Sequence, residues 1–218
     1  VSFSPFLKVE TPVTFKDQPG VQSALLYTDI RVCNLNCYQC HNRSAYRGSG
    51  GKFLYKELKE KLEMLKLLGV ELIIISGGEP TLEKKLPEGL GFIKDLGFKI
   101  RIDTNGTFPE VVEELINSEL VDGFAVDIKI PLLSNYTPNQ LRRFKTILYS
   151  SSEVPDEKIS KYVERVKRTK RLIEESSLPY NLFRTVKYPL LTDEELRSIC
   201  ESVKSTPHQV NPFYPVEE

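Results

Sequence analysis

The chain has 218 residues, of which 40% are hydrophobic and 28% charged, so a single domain over residues 1–218 can bury about 70% of the surface exposed by the unfolded chain. Its 30 basic residues equal its 30 acidic ones, and the missing basic excess argues against a nucleic-acid binder. The longest apolar runs, such as Leu72 to Ile75, are far too short to cross a bilayer, and Ser2, Ser4 and Lys8 break up any signal-peptide core. A cytoplasmic protein with no nucleic-acid or membrane partner is expected. The first residue is Val1 rather than methionine, so a few residues are expected to precede it.

Ala24 to Asp29 reads as the first strand, and a cysteine-rich loop follows it. Leu54, Leu58, Leu62, Leu65 and Leu68 mark a helix with a continuous apolar stripe, stopped at Gly69. Val70 to Ile75 is almost wholly apolar, as suits a strand covered on both faces. A helix over Phe92 to Leu96 ends at Gly97, and Phe98 to Ile102 is the third strand. Pro109 then opens a helix running to about Ser118, and Gly123 to Ile128 is the fourth strand.

The polar stretch from Thr137 to Ser177 predicts two helices with a break around Ser150 to Pro155; its role is open. Its basic portion, Lys161 to Arg171, is interleaved with Tyr162, Val163 and Val166 and reads as a solvated helix face. Tyr180 to Val186 is the fifth strand. Thr192, with Glu195 three residues on, forms a capping box that starts a helix to about Lys204. Gln209 to Phe213 is the sixth strand. Six strand–helix repeats predict an α/β fold with a parallel sheet, either doubly wound and open or a partial barrel. Both bind ligands at the carboxyl ends of the strands.

Small, polar and ionisable residues gather at those ends. The first strand leads into Cys33-Asn34-Leu35-Asn36-Cys37-Tyr38-Gln39-Cys40, and the second into Ser76-Gly77-Gly78-Glu79-Pro80. The third leads into Asp103-Thr104-Asn105-Gly106. The fourth ends in Asp127-Ile128-Lys129, the fifth in Arg184-Thr185-Val186, the sixth in Asn211-Pro212-Phe213-Tyr214.

Three of the four cysteines fall within eight residues, a clustering that suits metal ligation better than disulfides. Thiolates favour iron–sulfur clusters and zinc. A structural zinc site needs four protein ligands, and His41 cannot readily close a tetrahedron beside Cys40. Three thiolates on a four-iron cluster leave one iron open to a ligand. Cys200 sits in a helical pattern with Leu196, Ile199 and Val203 and is expected to be a buried structural thiol. The glycine pair serves a tight turn as well as a close ligand approach, and Asp103-Thr104-Asn105 serves a turn as well as a site.

The C-x3-C-x2-C loop together with Gly-Gly-Glu-Pro resembles the radical S-adenosylmethionine superfamily, over about residues 17–214. The resemblance implies a partial (β/α)6 barrel and one 4Fe-4S cluster on Cys33, Cys37 and Cys40. It further implies S-adenosyl-L-methionine chelated to the open iron through its amino and carboxylate groups, with no protein side chain doing the bond chemistry. By the same resemblance Gly77, Gly78, Glu79, Thr104, Asn105, Asp127, Lys129 and Arg184 contact the cofactor. Tyr214 falls where relatives often carry a histidine near the adenine. Gln39 replaces an aromatic residue common before the third cysteine, and Tyr38 stands beside it as a cofactor contact.

Phe15-Lys16-Asp17-Gln18-Pro19-Gly20 and the Cys40-His41-Asn42 ending resemble the activating proteins of anaerobic ribonucleoside-triphosphate reductase. Pyruvate formate-lyase activating enzyme shares the latter. The implied partners are a glycyl-radical enzyme and a flavodoxin or ferredoxin-type electron donor. Small-molecule relatives such as deazaguanine synthases are the alternative, and His41 and Asn42 are expected to order the cysteine loop through hydrogen bonds.

Overall fold

The computed structural model describes residues 2–45, 51–203 and 205–216. Its centre is a six-stranded parallel sheet: β2 (Ser23–Tyr27), β4 (Leu72–Ser76), β5 (Lys99–Thr104), β6 (Gly123–Asp127), β7 (Leu182–Lys187) and β8 (His208–Pro212). Spatial order follows chain order without reversal. A doubly wound sheet needs a reversal to place helices on both faces. Consecutive crossovers of one hand instead put every helix on the same face, so the sheet is a partial barrel with a free inner face.

The burial pattern agrees. Ala24, Leu26, Ile73, Ile75, Ile100, Ile102, Phe124, Val126 and Phe183 alternate along the strands and enter one core with the helices. The intervening positions include Tyr27, Arg101, Asp103, Asp127 and Arg184. Leu72 to Ile75 is fully buried on both faces, and each such side chain contributes about 1.5–3 kcal/mol.

The helices of the barrel are α2 (Tyr55–Leu67), α3 (Leu86–Asp95), α4 (Pro109–Asn117), α5 (Pro138–Tyr149), α6 (Asp156–Ser176) and α7 (Asp193–Ser202). α5 opens with a capping box in which Thr137 Oγ1 accepts from Gln140 N and Gln140 Oε1 accepts from Thr137 N. Thr192 and Glu195 do the same for α7. Glu195 is buried and also receives Arg143 of α5 at 2.6 Å, which ties the two helices together.

Several features depart from the sequence expectation. α3 starts six residues before Phe92, because Pro87 suits a first turn and Leu86, Leu90 and Ile93 form its buried stripe. Gly89 and Gly91 weaken the apparent propensity, but a Cβ on Gly89 would lie 2.5 Å from Pro5 Cγ. That contact belongs to β1 (Phe3–Leu7), which pairs antiparallel with β3 (Lys52–Leu54) as a separate ribbon. A short helix α1 (His41–Ala45) follows the cysteines. Cys200 is half-buried rather than buried, since only Ile199 and Val203 of its stripe reach the core. Lys204, the expected end of α7, lies outside the described residues.

Candidate functional site

The cysteine loop crosses the carboxyl ends of β2 and β4, and its backbone is held by its neighbours. The last carbonyls of a helix have no partner within it, and here the loop supplies the donors. Asn36 N donates to Leu148 O at 3.0 Å and Tyr38 N to Ile147 O at 2.9 Å, both at the end of α5. Ser150, the αL residue closing α5, donates from Oγ to Asn36 O at 2.9 Å. Arg43 of α1 returns to the loop, bonding Leu35 O at 2.9 Å and Asn36 Oδ1. The long 137–177 segment therefore braces the cysteine loop, and the sequence alone had left that role open.

Cys33, Cys37 and Cys40 line one cavity together with Ser76, Gly77 and Gly78. Burial raises the Cys33 and Cys37 thiols, the latter to about 11. Among the described residues no three His, Cys, Asp or Glu side chains are set to hold a single metal ion. The three thiols come from one loop and line one cavity, a donor set that fits a polynuclear centre with three protein ligands. Cys200 is on α7 and lines none of it.

Both glycines are dictated by packing. Gly77 has φ of 142°, and a Cβ there would meet Thr28 Oγ1 at 2.3 Å. A Cβ on Gly78 would meet Val32 O at 2.2 Å. Their bare backbone is thus pressed against the segment between β2 and Cys33. Asn42 Nδ2 donates to Gly77 O at 2.6 Å, which couples α1 to the glycine turn. His41 Nε2 pairs with Tyr214 O at 2.8 Å, holding the chain beyond β8 to the same helix.

Glu79 is buried and acts as a brace between two loops. Its carboxylate accepts from Thr81 N and Oγ1, Thr104 Oγ1 and Asn105 N, at 2.6–3.2 Å. Burial nevertheless keeps its pKa above the ordinary glutamate range. Asn105 in turn donates to Asn34 Oδ1 at 3.0 Å and lies 3.9 Å from Cys33 Sγ. Thr104 and Asn105 thereby combine the turn role with a position at the cavity.

Across from the cysteines runs a row of alternating charges. Arg101 Nε donates to Asp103 Oδ1 at 3.0 Å, and Arg184 Nη1 to Asp103 Oδ2 at 2.6 Å. Arg184 Nε then reaches Asp127 Oδ1 at 3.0 Å, and Lys129 Nζ reaches Asp127 Oδ2 at 2.9 Å. Burial alone would raise Asp127, but Lys129 and Arg184 outweigh it and hold the carboxyl below its usual range. Burial alone would lower Lys129, but Asp127 and then Cys37 hold it well above its usual value. Asp127 is therefore ionised at neutral pH and Lys129 charged.

Of the residues singled out in the sequence, Cys33, Cys37, Cys40, Gly77, Gly78, Glu79, Thr104, Asn105, Asp127, Lys129 and Arg184 share this cavity. Tyr38 and Tyr214 do not line it. Tyr38 stacks on Phe213 with centroids 5.9 Å apart, and Tyr214 is 64% exposed. Sequence reasoning passed over Arg101 and Tyr188. Arg101 was hidden in a strand otherwise read as apolar, although its i, i+2 spacing to Asp103 puts both on one face. A second cleft, near Phe3, Val32 and the Lys52–Glu83 ion pair, brings no comparable groups together.

The sequence pattern of the Radical SAM superfamily matches residues 27–203. A Methanocaldococcus jannaschii protein provisionally named a glycyl-radical enzyme activating enzyme is 32% identical over 195 residues, covering 86% of this chain and 71% of that protein. The 7-carboxy-7-deazaguanine synthase of Aquifex aeolicus is 26% identical over 188 residues, 84% of this chain and 81% of the relative. Streptococcus suis SuiB, solved bound to S-adenosylmethionine, superposes with a TM-score of 0.61 at 16% identity. That match covers 94% of this chain but 42% of SuiB, and it is a likeness of fold.

Proposed function

The chain belongs to the radical SAM superfamily, and from that premise we propose that it activates a glycyl-radical enzyme, anaerobic ribonucleoside-triphosphate reductase, by removing a hydrogen atom from a glycine Cα. The observation that carries this reading is three thiols from one loop lining a cavity that Asp103, Asp127, Lys129 and Arg184 also line, with no fourth cysteine there. The glycyl-radical branch in particular is supported by the archaeal relative and by the Cys40-His41-Asn42 ending. In this reading Cys33, Cys37 and Cys40 hold a 4Fe-4S cluster, and S-adenosyl-L-methionine lies against Gly77 and Gly78. When bound, the two supply a low-potential electron and a carbon radical to the reaction.

This chain's own residues position and shield. Gly77 and Gly78, packed without side chains against Thr28 and Val32, hold their turn at the edge of the cavity, and Asn42 fixes the Gly77 carbonyl. Asp127 and Lys129 contact the ligand's sugar and acid groups, and Arg184 holds Asp127 in place. Glu79 keeps the glycine turn and the Asn105 turn in register. A flavodoxin or ferredoxin-type donor belongs to the same proposal.

The test is anaerobic reconstitution with iron and sulfide, followed by addition of a reductant and a co-produced reductase. About four irons per chain, 5′-deoxyadenosine and a glycyl doublet in the electron paramagnetic resonance spectrum are the expected results. A colourless protein would overturn the cluster. A doublet obtained only on a pyruvate formate-lyase-type partner would move the substrate. The Aquifex relative favours one second reading, a small-molecule radical enzyme of the deazaguanine synthase type. Turnover of a pterin with no doublet on any partner would establish it.

A further inference from the structure

Tyr188 belongs to none of the motifs that define the site, yet it faces the same cavity as the three cysteines and Lys129. It immediately follows β7 and is fixed there by a turn. Its N–H donates to Val186 O at 2.8 Å, and its carbonyl accepts from Leu191 N at 3.0 Å. Pro189 takes the second turn position, where its locked φ is favourable. The Tyr188 ring packs at 5.9 Å against Phe213, which stacks on Tyr38. The residue is 6% exposed, so its ring has little freedom.

Its hydroxyl has no hydrogen-bond partner among the described residues, unlike Tyr162, which accepts from Lys129 N at 3.2 Å. The hydroxyl keeps access to the cavity, so water serves it until a ligand takes its place. The chemistry of that ligand follows from what remains unspent around it. Lys129 Nζ makes one bond, to Asp127, and an ammonium has three N–H groups. Each oxygen of Asp103 and Asp127 already accepts one charged bond, from Arg101, Arg184 or Lys129, and keeps a second lone pair for a hydroxyl. The cation beside the Tyr188 hydroxyl is thus Lys129, whose two remaining N–H groups suit an anionic oxygen group.

We propose that Tyr188 is a ligand-binding residue whose hydroxyl, beside Lys129, donates a hydrogen bond to the carboxylate of bound S-adenosyl-L-methionine. The assignment rests on the radical SAM reading, in which that carboxylate is the ligand's only anionic group. Tyr188→Phe keeps the ring on Phe213 and removes one donor. The test measures anaerobic equilibrium binding to the reconstituted protein, at matched iron content, of S-adenosyl-L-methionine and its decarboxylated analogue. Tyr188→Phe is expected to weaken the former about tenfold, as for a hydrogen bond to a charged group, and to leave the latter unchanged.

Equal affinity of Tyr188→Phe and wild type for S-adenosyl-L-methionine would overturn the assignment. So would an equal loss for both ligands, which would mark a purely structural hydroxyl. A wild-type protein that loads iron but binds neither ligand would instead overturn the parent reading, and the Tyr188 assignment with it.

Discussion

Replacing Gly78 with alanine tests whether the glycine turn and the cysteine loop form one rigid unit. The added Cβ would lie 2.2 Å from Val32 O, 2.7 Å from Val32 C and 2.8 Å from Ile30 O. Contacts between such atoms begin near 3.5 Å, so backbone on one side must retreat by about 1 Å. Val32 O also accepts from Glu79 N at 2.8 Å, and the retreat weakens that bond. Overpacking costs about 1–3 kcal/mol and the bond about 1 kcal/mol. At about 2–4 °C per kcal/mol for a chain of this size, Tm is expected to fall by roughly 4–16 °C. Because Val32 adjoins Cys33, iron uptake on reconstitution should fall as well.

Gly91→Ala is the matched control. Its Cβ would meet nothing closer than Leu120 Cδ2 at 4.0 Å, and within α3 it should gain about 0.5–1 kcal/mol. Thermal unfolding and iron per chain, measured side by side, decide the matter. A Gly78→Ala protein with wild-type Tm and full iron would refute the coupling.

Cys37→Ala should abolish cluster assembly yet leave the far-ultraviolet circular dichroism unchanged; brown, iron-replete protein would contradict the ligand assignment. Arg184→Leu leaves Asp103 and Asp127 each with one cation, and at 20% side-chain exposure it should cost about 2–4 kcal/mol in urea unfolding. Arg184→Lys, lacking the two-sided fork, should recover only part of that. Burial would raise Asp122, but the Lys94 and Ile100 hydrogen bonds and the Lys94 and Lys99 charges hold it below its usual range. A depressed folded pKa gives stability that is present above the unfolded value, near pH 4, and lost as pH falls through the folded one. Asp122→Asn should therefore lose about 1 kcal/mol at pH 7 and show a shallower decline towards pH 3.

What could be read from the sequence was what is encoded locally. The apolar run Leu72 to Ile75, the Pro109 start of α4 and the Ser150 to Pro155 break each arise from the residues themselves. The capping box at Thr192 arises the same way. The β1–β3 ribbon was not legible, because Phe3 pairs with Leu54 across about fifty residues and Pro5 argues against a strand. α3 was cut short for a related reason: Gly89 is demanded by Phe6 and Pro5, not by the helix. Within the site the motif residues were legible, while Tyr188 carries no motif and is brought in by its turn and by Phe213.

The charged row also explains why this strand set can be polar without failing to fold. In a closed barrel the inner positions pack against one another and want apolar side chains. Here the sheet stops at β2 and β8, and its inner face holds Arg101, Asp103, Arg184, Asp127 and Lys129 in strict alternation of sign. Each aspartate lies between two cations, so neither is left as an uncompensated buried charge. Three cations against two anions leave the row one positive charge in excess, and its Lys129 end lines the cavity with Cys37 and Tyr188. Arg101 is fully buried at the other end, anchored to Asp17 O and Gln18 Oε1 at 2.7 and 2.9 Å. The row is therefore fixed at its base and reaches the cavity at Lys129, whose ammonium pairs with Asp127 and keeps two N–H groups on the wall shared with three thiols.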